Sequence, residues 1–349
     1  MHVFHPFLLL SITGLGVKEA LQSAVNAAGV RSERLYDLTD TMARQLIGAR
    51  SDGTTSKYFG AFKRWESFIL AEGGKALPGE PIHVALYISS LMNKGSSFSV
   101  IQSALYSIKW AHNIRGAIDP TDNAFVKSMV ESAKRQSSKP VVKKDIVTSG
   151  QIIELCEKYQ DCTNILVLRD LAYIVLSFAG FFRFDELQSL RASDITFQET
   201  SITVNLQKSK TDQYRKGNAV LISQGETSAC PIKILKAYIT EAGILTDSDQ
   251  YLFRPTYSNK GKRGLINKNK PISYTRARET IVSRLREVCG QANLGLHSLR
   301  AGGATAAARA SVPDRLWKRH GRWKSEKAKD GYVEDSLEHR LLVSKSLKL

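Results

Sequence analysis

The chain has 349 residues, 42% of them hydrophobic and 24% charged, a size suited to two domains that each bury a core and a composition ordinary for a globular protein. Fifty Lys and Arg against 33 Asp and Glu leave a formal charge of +17, so a polyanion, nucleic acid first, is the expected partner. Its four cysteines, Cys156, Cys162, Cys230 and Cys289, have neither C-x-x-C nor zinc-type spacing and read most simply as reduced thiols of an intracellular protein.

Residues 1–34 read as a poorly defined leader. The apolar stretch 3–16, with Phe4, Phe7 and Leu8 to Leu10, resembles a short signal core, but Pro6 interrupts it, no Lys or Arg precedes it, and it is too short to span a bilayer. No membrane role is expected. A helical domain follows over 35–135. Tyr58, Phe62, Trp65 and Ile69 recur at helical spacing over 54–71, behind a Thr-Thr-Ser that can cap an N-terminus. Further helices are expected over 81–92, with Pro81 in the first turn, over 97–112 with Val100, Ile101, Leu105, Ile108 and Trp110 as its apolar residues, and over 122–134. Residues 136–147 carry Ser, Pro and lysines without helical period, the composition of an exposed linker.

The second domain, 148–349, opens with helices over 149–158 and 164–179. Apolar and polar residues then alternate over 201–206, and 217–222 can return beside them, predicting a β-hairpin with Lys208 and Lys210 near its tip. Helices are expected to dominate from Pro231 to the C-terminus. The fold class is therefore mainly α with a small β-hairpin or sheet. The second domain also carries most of the charge, +11 in 146–349 against +6 in 1–145. Within it, 254–286 holds ten basic residues and one acid, Glu279. That tract is either a solvated face or, as the rest of the domain suggests, a DNA-tracking surface.

Chemistry concentrates in three runs. The first is Phe181-Phe-Arg-Phe-Asp-Glu186, the second His297-Ser-Leu-Arg300, and the third His320-Gly-Arg-Trp323 with Gly331-Tyr332. Each is weak alone. Together they are specific: Trp323 follows Arg300 by 23 residues and Tyr332 follows Trp323 by nine. In this order and spacing the chain resembles the tyrosine recombinases, the phage integrase family, well over 147–337 and more weakly over the helical first domain. Within that family, the run from His297 to Ser325 looks most like recombinases of eukaryotic mobile elements of the DIRS and Crypton type.

The resemblance implies a helical, SAM-like core-binding domain, a recombinase catalytic domain, and a role for each motif residue. Tyr332 would be the nucleophile, forming a 3′-phosphotyrosine that conserves the bond energy, so that rejoining needs no ATP and no metal. Arg183 and Arg300 would stabilise charge on the non-bridging oxygens, because a guanidinium stays charged and can make paired hydrogen bonds to phosphate. Glu186, one turn from Arg183, would help hold the site, although an Arg and a Glu so placed can equally be a structural ion pair. His297 would bond the phosphate or move the phenolic proton. Lys210 matches the hairpin lysine that protonates the departing 5′-oxygen, with Lys208 and Lys216 close enough to compete for that role. Trp323 stands where the family more often has histidine; an indole can donate one hydrogen bond or pack the site, but cannot act as a base. His320 is out of register by three residues and reads as structural.

The partners so implied are double-stranded DNA and three further copies of the chain assembled on it, with the apolar residues of 336–349 either docking on a neighbour or fraying. No cofactor is expected, an accessory DNA-bending factor is not identifiable, and a nuclear location follows only from the eukaryotic look of the motifs. A type IB topoisomerase and a catalytically inactive DNA-binding protein derived from a mobile element are the alternatives. The separate helical domain favours recombination over the first, and the full set of candidate residues argues against the second.

Overall fold

The computed structural model describes residues 15–29, 32–137, 142–207, 218–259 and 262–347, without the side chains of 258, 259, 262 and 263. The chain divides into two units at Val141 and Val142.

The first unit is helical: α1 (Val17–Ala27), α2 (Glu33–Gly48), α3 (Asp52–Ala71), α4 (Pro81–Asn93), α5 (Phe98–Ile114) and α6 (Ala124–Ser137). Its core is the apolar stripe of α3, with Phe62, Trp65 and Ile69, set against Val84, Tyr87 and Ile88 of α4 and Ile101 and Ile108 of α5. Two polar groups inside it are satisfied. Trp65 Nε1 donates to the Ala76 carbonyl at 3.3 Å, and His112, fully buried, donates from Nδ1 to Ile108 O at 2.8 Å and accepts Gly79 N–H at Nε2 at 2.8 Å. Burial lowers the His112 pKa and keeps the ring neutral. The expectation of a loose leader over 1–34 fails where the structure describes it. Leu15 and Val17 are buried in this core, because α1 packs against α2 and covers apolar surface that the later helices leave open.

In the second unit, α7 (Ser149–Lys158) and α8 (Ile165–Ala179) are followed by α9 (Phe184–Ser189), then β1 (Ile195–Phe197), β2 (Ser201–Leu206), β3 (Asn218–Ser223) and α10 (Pro231–Glu241). Next come β4 (Thr256–Asn259), β5 (Lys262–Leu265), α11 (Tyr274–Cys289), α12 (His297–Arg309), α13 (Asp314–His320), α14 (Glu326–Asp330) and α15 (Leu337–Ser346). Helix α8 is the axis of the domain: Ile165 and all of 167–177 are buried, with α10 and α12 among the helices packed on it. Three antiparallel strands in the order β1-β2-β3 pair Ile202 with Ile222 and Val204 with Val220, so one face buries these β-branched residues in the same core.

Two expectations are extended here and one is corrected. The hairpin has a third strand, β1, three residues long and too short to show alternation in the sequence. The segment after Pro231 is interrupted by the β4–β5 hairpin, whose polar, basic residues carry no strand pattern. The proposed linker is anchored over its second half: Asp145 and Asn293 exchange hydrogen bonds of 2.6 and 3.1 Å, and Val147 is fully buried. Its lysines mask two contacts that depend on distant residues. Lys208, Lys210 and Lys216 lie outside the described residues. No helix among the described residues is long and apolar enough to cross a membrane.

The pair Gly302-Gly303 on α12 sets the spacing that the site requires. A Cβ at Gly302 would lie 2.0 Å from Val147 O, and one at Gly303 would lie 2.3 Å from Phe178 O at the end of α8. Only hydrogen allows α12 to lie this close to the turn that carries Arg183.

Candidate active site

Arg183 is the N-cap of α9. Its backbone N–H donates to Glu186 Oε2 at 2.9 Å and its Nη1 to Glu186 Oε1 at 2.8 Å, the i,i+3 reach that one helical turn supplies. Glu186 is 1% exposed and Arg183 14%, so the carboxylate is internal while the guanidinium reaches the surface. Burial acts to raise the Glu186 pKa. The charge of Arg322, the Arg183 N–H and the charges of Arg183 and Arg300 outweigh it and hold the group below the usual glutamate value.

Arg300, on the first turn of α12, is fully buried. Its Nη1 donates to Phe181 O and its Nη2 to Gly321 O at 2.6 Å. The Trp323 and Tyr332 rings lie against its guanidinium, with centroids 4.5 and 4.9 Å away. Burial and the like charges of Arg183 and Arg322 push its pKa down to about 9, which still leaves it charged at neutral pH. In this arrangement the Arg300 guanidinium is turned inward, with part of its donor set on backbone carbonyls. Both terminal nitrogens serve backbone carbonyls, Nε alone lacks an acceptor among the described residues, and two rings cover the group.

Trp323 closes the inner wall. It meets Trp317 edge-on at 5.6 Å, Phe181 at 6.0 Å and Tyr332 at 5.4 Å, and its buried Nε1–H has no acceptor among the described residues. Buried donors of this kind are uncommon and call for an explanation. Tyr332 is half-buried and is held through its main chain: its N–H donates to Lys329 O at 3.0 Å. Lys329 is itself buried beneath Trp317, its Nζ 4.5 Å from the ring centroid, and ion-paired with Asp314 and with Glu326 at 2.8 Å. Burial acts to lower the Lys329 pKa, but its carboxylate hydrogen bonds prevail and raise it above the ordinary lysine value. The segment bearing Tyr332 is thus tied to α13 by a charged anchor. Beside it opens a pocket of about 230 Å³ lined by His297, Ala301, Tyr332, Lys143 and Lys144.

Arg183, Glu186, Arg300, Trp323 and Tyr332 thus come together from four elements, with His297 exposed at the pocket. His320 stands behind them, Nε2 donating to Ala179 O at 2.7 Å; burial lowers its pKa and keeps it a neutral strut. Two residues at the site escaped the sequence reading. Lys143, read as linker, lies 3.5 Å from the carbonyl of Gly331, next to Tyr332. Arg322, inside a run quoted for its neighbours, donates to Glu186 Oε2 at 2.9 Å. The basic tract 254–286 divides: Lys268, Lys270, Arg276, Arg278 and Arg286 are exposed, whereas Arg254 is buried and Arg284 stacks on Tyr159 and pairs with Glu287 at 2.8 Å.

A model of the phage integrase family matches residues 146–339, more than half of the chain, Arg183, Glu186, His297, Arg300, Trp323 and Tyr332 included. The chain belongs to the phage integrase family, the tyrosine recombinases. It is 25% identical over 321 residues to an integrase/recombinase XerD homologue of Selenomonas ruminantium, covering 91% of each chain. Among solved structures, the XerH site-specific recombinase bound to palindromic difH substrate in a post-cleavage complex matches with a TM-score of 0.57 at 15% identity, over 99% of this chain and 97% of that one. A lambda integrase dimer bound to a COC′ core site matches with a TM-score of 0.51 at 14% identity, over 91% and 85%. At such identities these two structures speak to the fold, a mainly helical recombinase with a small antiparallel sheet.

Proposed function

We propose that this family member is a site-specific DNA recombinase or integrase that cleaves and rejoins double-stranded DNA through Tyr332. The phenolic oxygen attacks a backbone phosphorus, a 3′-phosphotyrosyl bond forms, and the 5′-oxygen leaves as a hydroxyl; reversal of the step rejoins the strand without ATP. The observation that carries this reading is the packing of the Tyr332 ring on Trp323 and on the buried, charged Arg300, at 5.4 and 4.9 Å. A phenol so placed needs only a short outward movement to exchange its seat on Arg300 for an in-line position beside a bound phosphate. Arg183, Arg300 and the Trp323 N–H then stabilise the charge on the phosphoryl oxygens, which gives the step no need of a metal. His297, at the pocket shared with Tyr332, accepts or relays the phenolic proton, and Lys210 delivers one to the leaving oxygen.

Assembly of four protomers on DNA is part of the proposal, supported by α15, on which Leu337, Leu341, Leu342, Val343 and nearby Leu347 are all exposed. So is membership of the DIRS- or Crypton-type mobile elements, with a nuclear site of action, supported by the run from His297 to Ser325. The test is trapping. Nicked duplexes tiled across the flanks of the encoding gene are incubated with the protein in EDTA, and a denaturation-resistant adduct is mapped. The adduct is expected at Tyr332 and absent from Tyr332→Phe. An adduct that persists in Tyr332→Phe, or none with any duplex, refutes the reading.

A further inference from the structure

Arg322 lies in the turn between α13 and α14 with φ of +58°. L residues adopt this left-handed conformation at a cost and hold it where the surroundings fix it. Here the surroundings are unusually complete. The side chain is buried against the Phe182 ring, centroid 5.0 Å away. Nη1 donates to Gly180 O at 3.1 Å and His320 O at 2.7 Å, and Nη2 to Phe181 O at 2.9 Å and Glu186 Oε2 at 2.9 Å. One guanidinium thus gathers the carbonyls that lead into Arg183 and one oxygen of the carboxylate that holds Arg183.

We propose, resting on the strand-cleavage reading above, that Arg322 is a positioning residue for Arg183: by occupying Glu186 Oε2 it keeps the Arg183 guanidinium on a single oxygen, with its other donors turned to the substrate phosphate. The geometry makes the division explicit. Oε2 takes the Arg183 backbone N–H and Arg322, while Oε1 takes Arg183 Nη1 at 2.8 Å. A carboxylate with both oxygens open to a guanidinium prefers the two-bond, parallel arrangement. Without Arg322, the buried Glu186 carboxylate keeps the Arg183 N–H and Nη1 but has an open acceptor position on Oε2, which it fills by drawing a second nitrogen of Arg183 inward, away from the phosphate, or by taking a proton. The charged groups that face Glu186 are Arg183 from its own turn, Arg300 from α12 and Arg322.

The test uses the full chain on the duplex that traps the wild-type adduct. Arg322→Gly removes the guanidinium while accepting the left-handed backbone. Its single-turnover adduct formation is expected to slow roughly 100-fold, the scale on which misplacing a phosphate ligand by about an ångström acts, with duplex affinity by fluorescence anisotropy little changed. The acid limb of its rate profile moves to higher pH, because Glu186 then protonates more readily. Arg322→Lys recovers part of the rate and moves the limb only part of the way back. In a Glu186→Gln background, Arg322→Gly adds no further loss, since its route runs through that carboxylate. A wild-type rate for Arg322→Gly, or losses that multiply with an unmoved acid limb, overturns the proposal. If Arg322→Gly does not fold, Arg322→Lys decides: a slowed rate with a displaced limb supports the proposal, and an unmoved limb overturns it. If no duplex traps a wild-type adduct, it is the cleavage reading that fails, and this inference falls with it.

Discussion

Trp323 separates packing from chemistry, since one substitution can remove its hydrogen-bond donor and leave most of its ring. The indole is 6% exposed and touches Trp317, Phe181, Tyr332 and Arg300, while its N–H finds no acceptor among the described residues. Trp323→Ala deletes a buried aromatic, a change that costs about 3–5 kcal/mol and, for a unit of this size, lowers Tm by about 6–20 °C. Trp323→Phe keeps the six-membered ring of the contact and forfeits the five-membered ring with its N–H, which has no acceptor among the described residues. Its stability should fall by about 1–2 kcal/mol, from the lost contacts and the small cavity left behind. If the indole donates to a phosphoryl oxygen in the transition state, loss of that one donor slows strand cleavage by about 10²–10³-fold. Trp323→His, which restores a ring N–H, then regains part of the rate. Calorimetry paired with single-turnover adduct formation reads both quantities. A Trp323→Phe protein that cleaves like wild type, or a Trp323→His protein as slow as the Phe variant, refutes the donor role and leaves the indole as packing.

Two further outcomes follow from groups away from the reacting atoms. Gly303→Ala drives a Cβ to 2.3 Å from Phe178 O; backbone cannot give way cheaply, so urea unfolding should show a loss of about 1–3 kcal/mol or more, and an unchanged midpoint would mean that α12 sits farther from α8 than the structure has it. His112 is buried with its pKa lowered by desolvation, so the unfolded chain binds the extra proton. Stability is thus retained above the unfolded value of about 6.5 and lost as pH falls below it; His112→Gln should flatten that slope in pH-dependent thermal melts, and an unaltered slope would remove His112 as its source.

Much of this protein follows from residues close together in sequence. Trp65 lies within the apolar stripe of α3, a register that helical periodicity imposes on any such run. The Arg183–Glu186 contact is one turn of helix, and the alternating strand Ser201–Leu206 pairs as alternation requires. The order and spacing of Arg183, Arg300, Trp323 and Tyr332 also pointed to the family that the family model matches. Tertiary structure alone decided what each of these groups faces. Arginine is common enough that nothing local marks Arg322; its role depends on a left-handed turn and on carbonyls from residues 180, 181 and 320 converging on it. Arg300 looks like an exposed phosphate ligand in the motif and is fully buried in the fold, because the Trp323 and Tyr332 rings come from segments more than 20 residues away. Lys143 and Val147 read as linker, since their partners, Gly331 and Ser298, are also remote. Caps, periodicity and alternation act over a few residues, whereas burial and the choice of a hydrogen-bond partner are set by chain that arrives from elsewhere, and for that reason the residue types of the site were readable and their division of labour was not.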